Sequence, residues 1–419
     1  MADTLNAETT LQSPSRLSAF RAVRQRSMLL AEGLSAEDLA AQSMADASPG
    51  KWHLAHTSWF FEKFILREQS DYQCFNPVFD ELFNSYYLSV GQPYARPQRG
   101  LITRPSLQEV LDYRAYVDEY MVRGLERGVI DDGVMTVGLH HEMQHQELFL
   151  TDLLHLFSHN PLKPAVKKSD SHRGPADAAA LQWQTFDEQI IPIGAGSEGF
   201  SYDCERPNHR HLLSAFALAT RPINNAEWLE FMSDGGYTTP LLWLSDGWAC
   251  LQKTGWRAPA YWQQADNEWQ QFGLDGLQTL DPKAPVTHIS YYEAQAFAHW
   301  AGKRLPREQE LEFIAQQTAR SGNFLEQERW RPCASSGTGM QQIYGDVWEW
   351  TQSAFLPYPG FVAEQGALGE YNGKFMSRQF VLKGGSCVTP IEQMRASYRN
   401  FFYPHQRWQF TGLRLASDV

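Results

Sequence analysis

Apolar residues recur at helical spacing through the first 160 positions of this chain, and beyond position 180 that period is gone. Residues 18–34 place Phe20, Val23 and Leu30 on one side and arginines on the other. Residues 48–66, 106–127 and 138–157 repeat the pattern, the second opening on Ser106 with Glu109 three positions on, a capping box. Past position 180, short β-like runs (188–193, 214–218) alternate with turns, tryptophan-rich stretches and short helices at 224–233 and 291–301. Between the two textures, 159–180 carries prolines, charges and small residues with no period. The expected architecture is an N-terminal four-helix bundle (1–160), a linker (161–182) and an irregular α+β domain (183–419). A chain of 419 residues has material for two cores.

The bundle contains one long interruption. Residues 69–105 are rich in Tyr, Pro and Gly. Connections of that length inside a compact domain are functional or disordered, and the aromatic content predicts packing.

Charge and composition exclude several classes. The net charge of -12 and the lack of a basic run argue against a nucleic-acid surface. No stretch of eighteen apolar residues predicts a membrane span, and residues 1–15 read as neither an apolar signal core nor an arginine-rich transit peptide, so a cytoplasmic protein is expected. Five scattered cysteines, never in CxxC spacing, fit a reducing compartment and exclude a cysteine-based zinc site. Self-association into a homo-oligomer is left open.

The chemistry concentrates in Gly138-Leu-His-His-Glu-Met-Gln-His-Gln-Glu-Leu148, where His141 and His145 stand one helical turn apart and project from one face. A catalytic metal needs a third protein ligand. His56, in Lys51-Trp-His-Leu-Ala-His56, shares a face with Trp52, Trp59 and Phe60 and is the best candidate. A lone histidine there is more often a satisfied core residue, but the His141/His145 pair changes that balance. His53 and His140 are read as structural, pointing off the ligand face.

The second half carries phrases that together resemble the formylglycine-generating enzyme and sulfatase-modifying-factor fold: Arg221-Pro-Ile-Asn-Asn-Ala-Glu-Trp228, Pro285-Val-Thr-His-Ile-Ser290, Lys303-Arg-Leu-Pro-Arg-Glu308, Tyr344-Gly-Asp-Val-Trp-Glu-Trp350, Lys383-Gly-Gly-Ser386 and Gly412-Leu-Arg-Leu415. Formylglycine formation depends on a close cysteine pair near the C-terminus, and Cys387 stands alone there. The first half resembles the DinB-like bundle. The fusion is similar to the ergothioneine-biosynthetic sulfoxide synthases, the hercynine oxygenases. That resemblance implies an iron(II) enzyme that uses dioxygen to join the sulfur of cysteine or γ-glutamylcysteine to imidazole C2 of Nα-trimethylhistidine (hercynine) as a sulfoxide. It implies His56, His141 and His145 as iron ligands, with Glu147 closing the HxxxHxE motif. It further implies Arg96 and Arg99 as a clamp for the sulfur donor's carboxylate and Asn400 as a contact to the betaine, while Gln144, next to His145, is placed by sequence to touch the substrate imidazole. Tyr86 and Tyr87 are the expected proton donors, ahead of Tyr358. Where γ-glutamylcysteine users carry an aspartate, this chain has Phe402, which favours plain cysteine.

Two other readings share these residues. An ovothiol-type enzyme would attach sulfur at imidazole C5, but usually carries a methyltransferase domain, and no glycine-rich nucleotide segment is present. A zinc-dependent thiol transferase or hydrolase would use the three histidines around a bound water.

Overall fold

The computed structural model describes residues 15–167, 179–365 and 369–419. Half of the connecting stretch 161–182, residues 168–178, therefore lies outside the described residues, as does nearly all of the N-terminal segment.

The helical half comprises α1 (Arg16–Ala31), α2 (Ala36–Ala40), α3 (Gly50–Phe64), α4 (Phe79–Phe83), α5 (Leu107–Glu126) and α6 (Asp132–Ser158). The four long helices are those that the periodicity predicts. Their ends differ for local reasons. The first periodic run stops at Ala31, and the chain turns through Gly33 at φ +81° before α2. Ser48 does not cap α3: Pro49 holds the cap position, its carbonyl accepting from Trp52 and His53, while the Ser48 hydroxyl accepts from Arg99. The Ser106 capping box forms as expected, and Asp131 caps α6 through Val134. At 27 residues, α6 is about 40 Å long.

Helix α3 is buried on every side from Gly50 to Glu62, which makes it the core helix of the bundle. It packs against α5 and α6. Gly138 on α6 permits that approach, since a Cβ there would stand 2.6 Å from Phe61 Cε1 and 3.2 Å from Phe60 Cε1. Gly138→Ala is expected to destabilise the protein by about 1–3 kcal/mol despite its gain in helix propensity, read as a lower midpoint in urea.

The bundle also buries a charge network. The Glu142 carboxylate accepts from Arg24 Nη1 (2.9 Å), Ser27 Oγ (2.6 Å) and Arg114 Nη2, and Arg24 Nε reaches Asp118 at 2.6 Å. The interrupting stretch packs as its aromatic content predicts. Phe75, Phe79 and Phe83 surround the Tyr113 ring, and buried Glu62 accepts from Tyr72, Tyr113 and the Phe75 amide.

The second half is the irregular α+β unit expected. It runs β1 (Trp183–Phe186), β2 (Gln189–Ile193), β3 (His209–Leu213), β4 (Phe216–Ala219), α7 (Asn225–Ser233), α8 (Ser245–Thr254), β5 (Trp262–Ala265), β6 (Glu268–Gly273), β7 (Gly276–Thr279), α9 (Tyr291–Trp300), α10 (Glu308–Gln316), β8 (Trp348–Ala354), β9 (Phe380–Lys383), β10 (Asn400–Phe402), β11 (Thr411–Gly412) and β12 (Ala416–Asp418). The largest sheet has the order β10-β9-β8-β11, antiparallel except for the β8/β11 pair. Its edge strand β10, pairing Asn400 with Leu382, sets Asn400 and Phe402 beside the helical half. The buried Arg414–Glu349 pair pins the C-terminal segment to β8.

The two halves interlock through α6. Glu147, half-buried, accepts from Trp348 Nε1 (2.6 Å), Thr389 Oγ1 (2.8 Å) and Ser386 Oγ (3.2 Å), all from the second half. On the other side, Glu370 accepts from the amides of Leu88 and Ser89, and Lys374 donates to the Tyr86 carbonyl. No described helix is long and apolar enough to cross a membrane.

Candidate metal centre and its cavity

His56 on α3 and His141 and His145 on α6 present ring nitrogens that all lie within 4.8 Å of one another. His56 and His141 approach Nε2 to Nε2 at 3.0 Å. His56 Nδ1 lies 2.5 Å from the Phe83 carbonyl, which can only accept, so the ring proton sits on Nδ1 and Nε2 offers a bare lone pair to the cluster. Burial lowers the basicity of all three rings, His141 to about 3 and His56 and His145 well below the ordinary value, with His141 adding to the effect on His56 and His56 to that on His145. Three neutral imidazoles facing one point fit a first-row divalent metal ion.

The cluster opens on a cavity of about 450 Å³ between the two halves. Arg99 lines it, 1% exposed, its guanidinium 3.4 Å from the Trp52 ring centroid. Among the described residues only Nη1 is engaged, donating to Ser48 Oγ at 2.9 Å, whereas Nε and Nη2 are buried without a partner. A desolvated guanidinium with two free donors is a receptor for a carboxylate. Arg96 also lines the cavity but is exposed, so the two expected arginines differ in kind.

Gln144 faces the same space with both ends of its amide held. Nε2 donates to Tyr398 Oη at 2.7 Å, and Oε1 accepts from Tyr371. Asn400 and Phe402 line the opposite wall. The expected tyrosine pair separates: Tyr86 reaches the cavity, whereas Tyr87 is fully buried behind it, against Trp59 and Phe64. Burial pushes the Tyr86 phenol up, so it keeps its proton at neutral pH. Tyr358 lies elsewhere, buried against Arg399 and Glu308.

One expectation is corrected. His53 does not point off the ligand face: it lies one turn before His56, an i,i+3 neighbour, and its Nδ1 stands 2.8 Å from His145 Nδ1. His140 does turn away, stacking on Phe200 with ring centroids 4.0 Å apart. Sequence reasoning also passed over Asp152, seven residues beyond His145 on the same stripe of α6, which helical spacing could have flagged. It missed Tyr371 and Tyr398 too, and for these no local signal exists, since long-range folding alone brings them to Gln144.

The fold and site together define a helical bundle that carries a three-histidine cluster, joined to a sulfatase-modifying-factor-type domain. Family models agree: residues 19–160 match the DinB superfamily, and residues 177–335 and 328–419 match the sulfatase-modifying factor enzyme 1-like domain. The hercynine oxygenase of Mycobacterium tuberculosis is 30% identical over 98% of this chain and 100% of its own length, and that of Mycolicibacterium smegmatis is 31% identical over 94% and 97%. The formylglycine-generating enzyme of Mycobacterium tuberculosis is 28% identical over 39% of this chain and 71% of its own. The chain belongs to the hercynine oxygenase family and is an oxygen-dependent oxidoreductase.

Proposed function

We propose that this protein is an iron(II) sulfoxide synthase that couples the thiol of cysteine to imidazole C2 of hercynine with dioxygen, in ergothioneine biosynthesis. The observation that carries the reading is the meeting, in one cavity, of the His56/His141/His145 cluster and the half-paired Arg99 guanidinium. In this reading residues 1–160 hold the metal and residues 183–419 close over it, joined by 161–182. The relatives of full length, the hercynine oxygenases, support the substrate class.

The three histidines would hold iron, which when bound would take up dioxygen and pass electrons to it, the electrons themselves coming from the substrates, two on forming the C–S bond and two on forming the sulfoxide. The chain's own residues do the rest. Arg99 takes the donor's carboxylate through Nε and Nη2, and Arg96 adds long-range charge at the exposed rim. Gln144 and Asn400 orient the betaine, with Gln144 fixed in rotamer by Tyr371 and Tyr398. Tyr86 keeps a proton available at the cavity wall. Phe402 leaves no carboxylate at its place on the wall to meet a γ-glutamyl ammonium group, which favours cysteine as the donor.

The test is dioxygen uptake by iron-loaded enzyme with hercynine and either cysteine or γ-glutamylcysteine, products identified by mass spectrometry. Uptake that requires both substrates and yields the C2-linked sulfoxide is expected. A C5 linkage, or thiol transfer or hydrolysis with zinc and no uptake, overturns the proposal. Arg99→Met is expected to raise KM for cysteine roughly ten- to a hundredfold, the loss of about 1.5–3 kcal/mol of charge-assisted hydrogen bonding. The same variant is expected to raise the melting temperature, because it removes a buried charge that no described carboxylate pairs directly.

A further inference from the structure

Both ring nitrogens of His53 are engaged, and the residue is 3% exposed. Its Nε2 lies 2.9 Å from Asp152 Oδ2, and its Nδ1 lies 2.8 Å from His145 Nδ1. A carboxylate accepts, so the proton of a neutral His53 belongs on Nε2. Nδ1 is then a bare lone pair and must accept in turn. His145 supplies that hydrogen bond only with its own proton on Nδ1, which leaves its Nε2 unprotonated and free to bind a cation.

The three ligand rings are thus backed unequally. His56 is held by a main-chain carbonyl, and His141 Nδ1 is buried without a partner among the described residues. Only His145 is backed by a chain of side chains that ends on a carboxylate. That carboxylate is itself fixed, since Asp152 Oδ2 also accepts the Ser48 amide at 2.8 Å. The hydroxyl of the same serine accepts from Arg99 at 2.9 Å. One residue just ahead of α3 therefore anchors both the metal side and the carboxylate side of the cavity.

We propose that Asp152 and His53 form a positioning relay that holds His145 in its metal-binding tautomer and orientation, and that Ser48 ties this relay to the arginine of the carboxylate subsite. The inference rests on the three-histidine reading, and deepens it by assigning roles to a histidine and an aspartate outside the ligand set.

The experiment is a titration of the metal-free full-length protein with cobalt(II), followed by visible absorption and by competition with a chelator. It compares wild type with His53→Phe, Asp152→Asn and Ser48→Ala, and circular dichroism checks that each variant folds. His53→Phe is expected to weaken cobalt(II) binding roughly 10- to 100-fold and to alter the absorption bands. Asp152→Asn, which keeps an acceptor oxygen but not the charge, is expected to lose less affinity in the same direction. Ser48→Ala keeps the amide that holds Asp152, so its cobalt(II) affinity is expected to stay near wild type while L-cysteine, read as a shift of the cobalt bands, binds more weakly. Undiminished cobalt(II) affinity in folded His53→Phe overturns the relay and leaves the three-histidine site standing. If His53→Phe does not fold, undiminished affinity in Asp152→Asn overturns it instead. Unchanged cysteine binding in Ser48→Ala overturns the tie to Arg99. Failure of the wild type itself to bind cobalt(II) overturns both the site and the relay.

Discussion

His56→Ala is expected to abolish turnover and to weaken metal binding by more than the roughly 100-fold that removal of an outer-shell partner costs. The residue sits fully buried on the core helix, so no water-exposed side chain stands ready to replace its nitrogen. Its loss leaves two nitrogens from a single helix, one turn apart, where three from two helices converged. It also frees the Phe83 carbonyl, which holds the short stretch just ahead of Tyr86. Isothermal titration with iron(II) under anaerobic conditions, alongside dioxygen uptake, checks this. Retained affinity with lost turnover would assign His56 a role other than ligand.

The second large effect concerns stability. Glu142→Ala is expected to destabilise the protein by about 3–5 kcal/mol, because it leaves the Arg24 and Arg114 guanidinium groups buried around an absent carboxylate. These two cations hold the Glu142 carboxyl at about 2, below the ordinary value, against the opposing effect of burial. A depressed folded-state value means that the stabilisation is fully present above the unfolded value, near 4.5, and is lost as pH falls through about 2. Wild-type stability should therefore decline between pH 4.5 and 2, with a contribution from this group on the order of 3 kcal/mol, and Glu142→Ala should lack that part of the decline. Urea denaturation at pH 7 and at pH 3, where about 2 kcal/mol of that contribution is already lost, checks both.

The fold class was legible because the two halves differ in local texture. Helical spacing over four segments and short alternating runs after them need no long-range information. The core of the site was legible for the same reason, as His141 and His145 are local neighbours. His56 required the further step of placing it on the aromatic, inward face of its own helix, toward the His141/His145 pair. Farther out, legibility fails on physical grounds. Arg96 and Arg99 look alike in sequence, yet one is exposed and the other desolvated under Trp52, a difference set by how a turn docks on α3. Tyr371 and Tyr398 meet Gln144 across separations of 227 and 254 residues, which no window of sequence spans. The face that His53 occupies is set by local geometry, yet one residue of error in the direction of a helix face moves a side chain by about 100°.

Glu147 bears on how such two-part enzymes diverge. It shares a helix with two of the clustered histidines, yet every hydrogen bond that satisfies it comes from the other half of the chain. Exchanging the second half for one from a distant relative would strand this carboxylate unless a tryptophan, a serine and a threonine returned at matching places. Recombination between lineages is thereby filtered at a point 2 residues from His145, so the two halves inherit change together rather than as interchangeable modules.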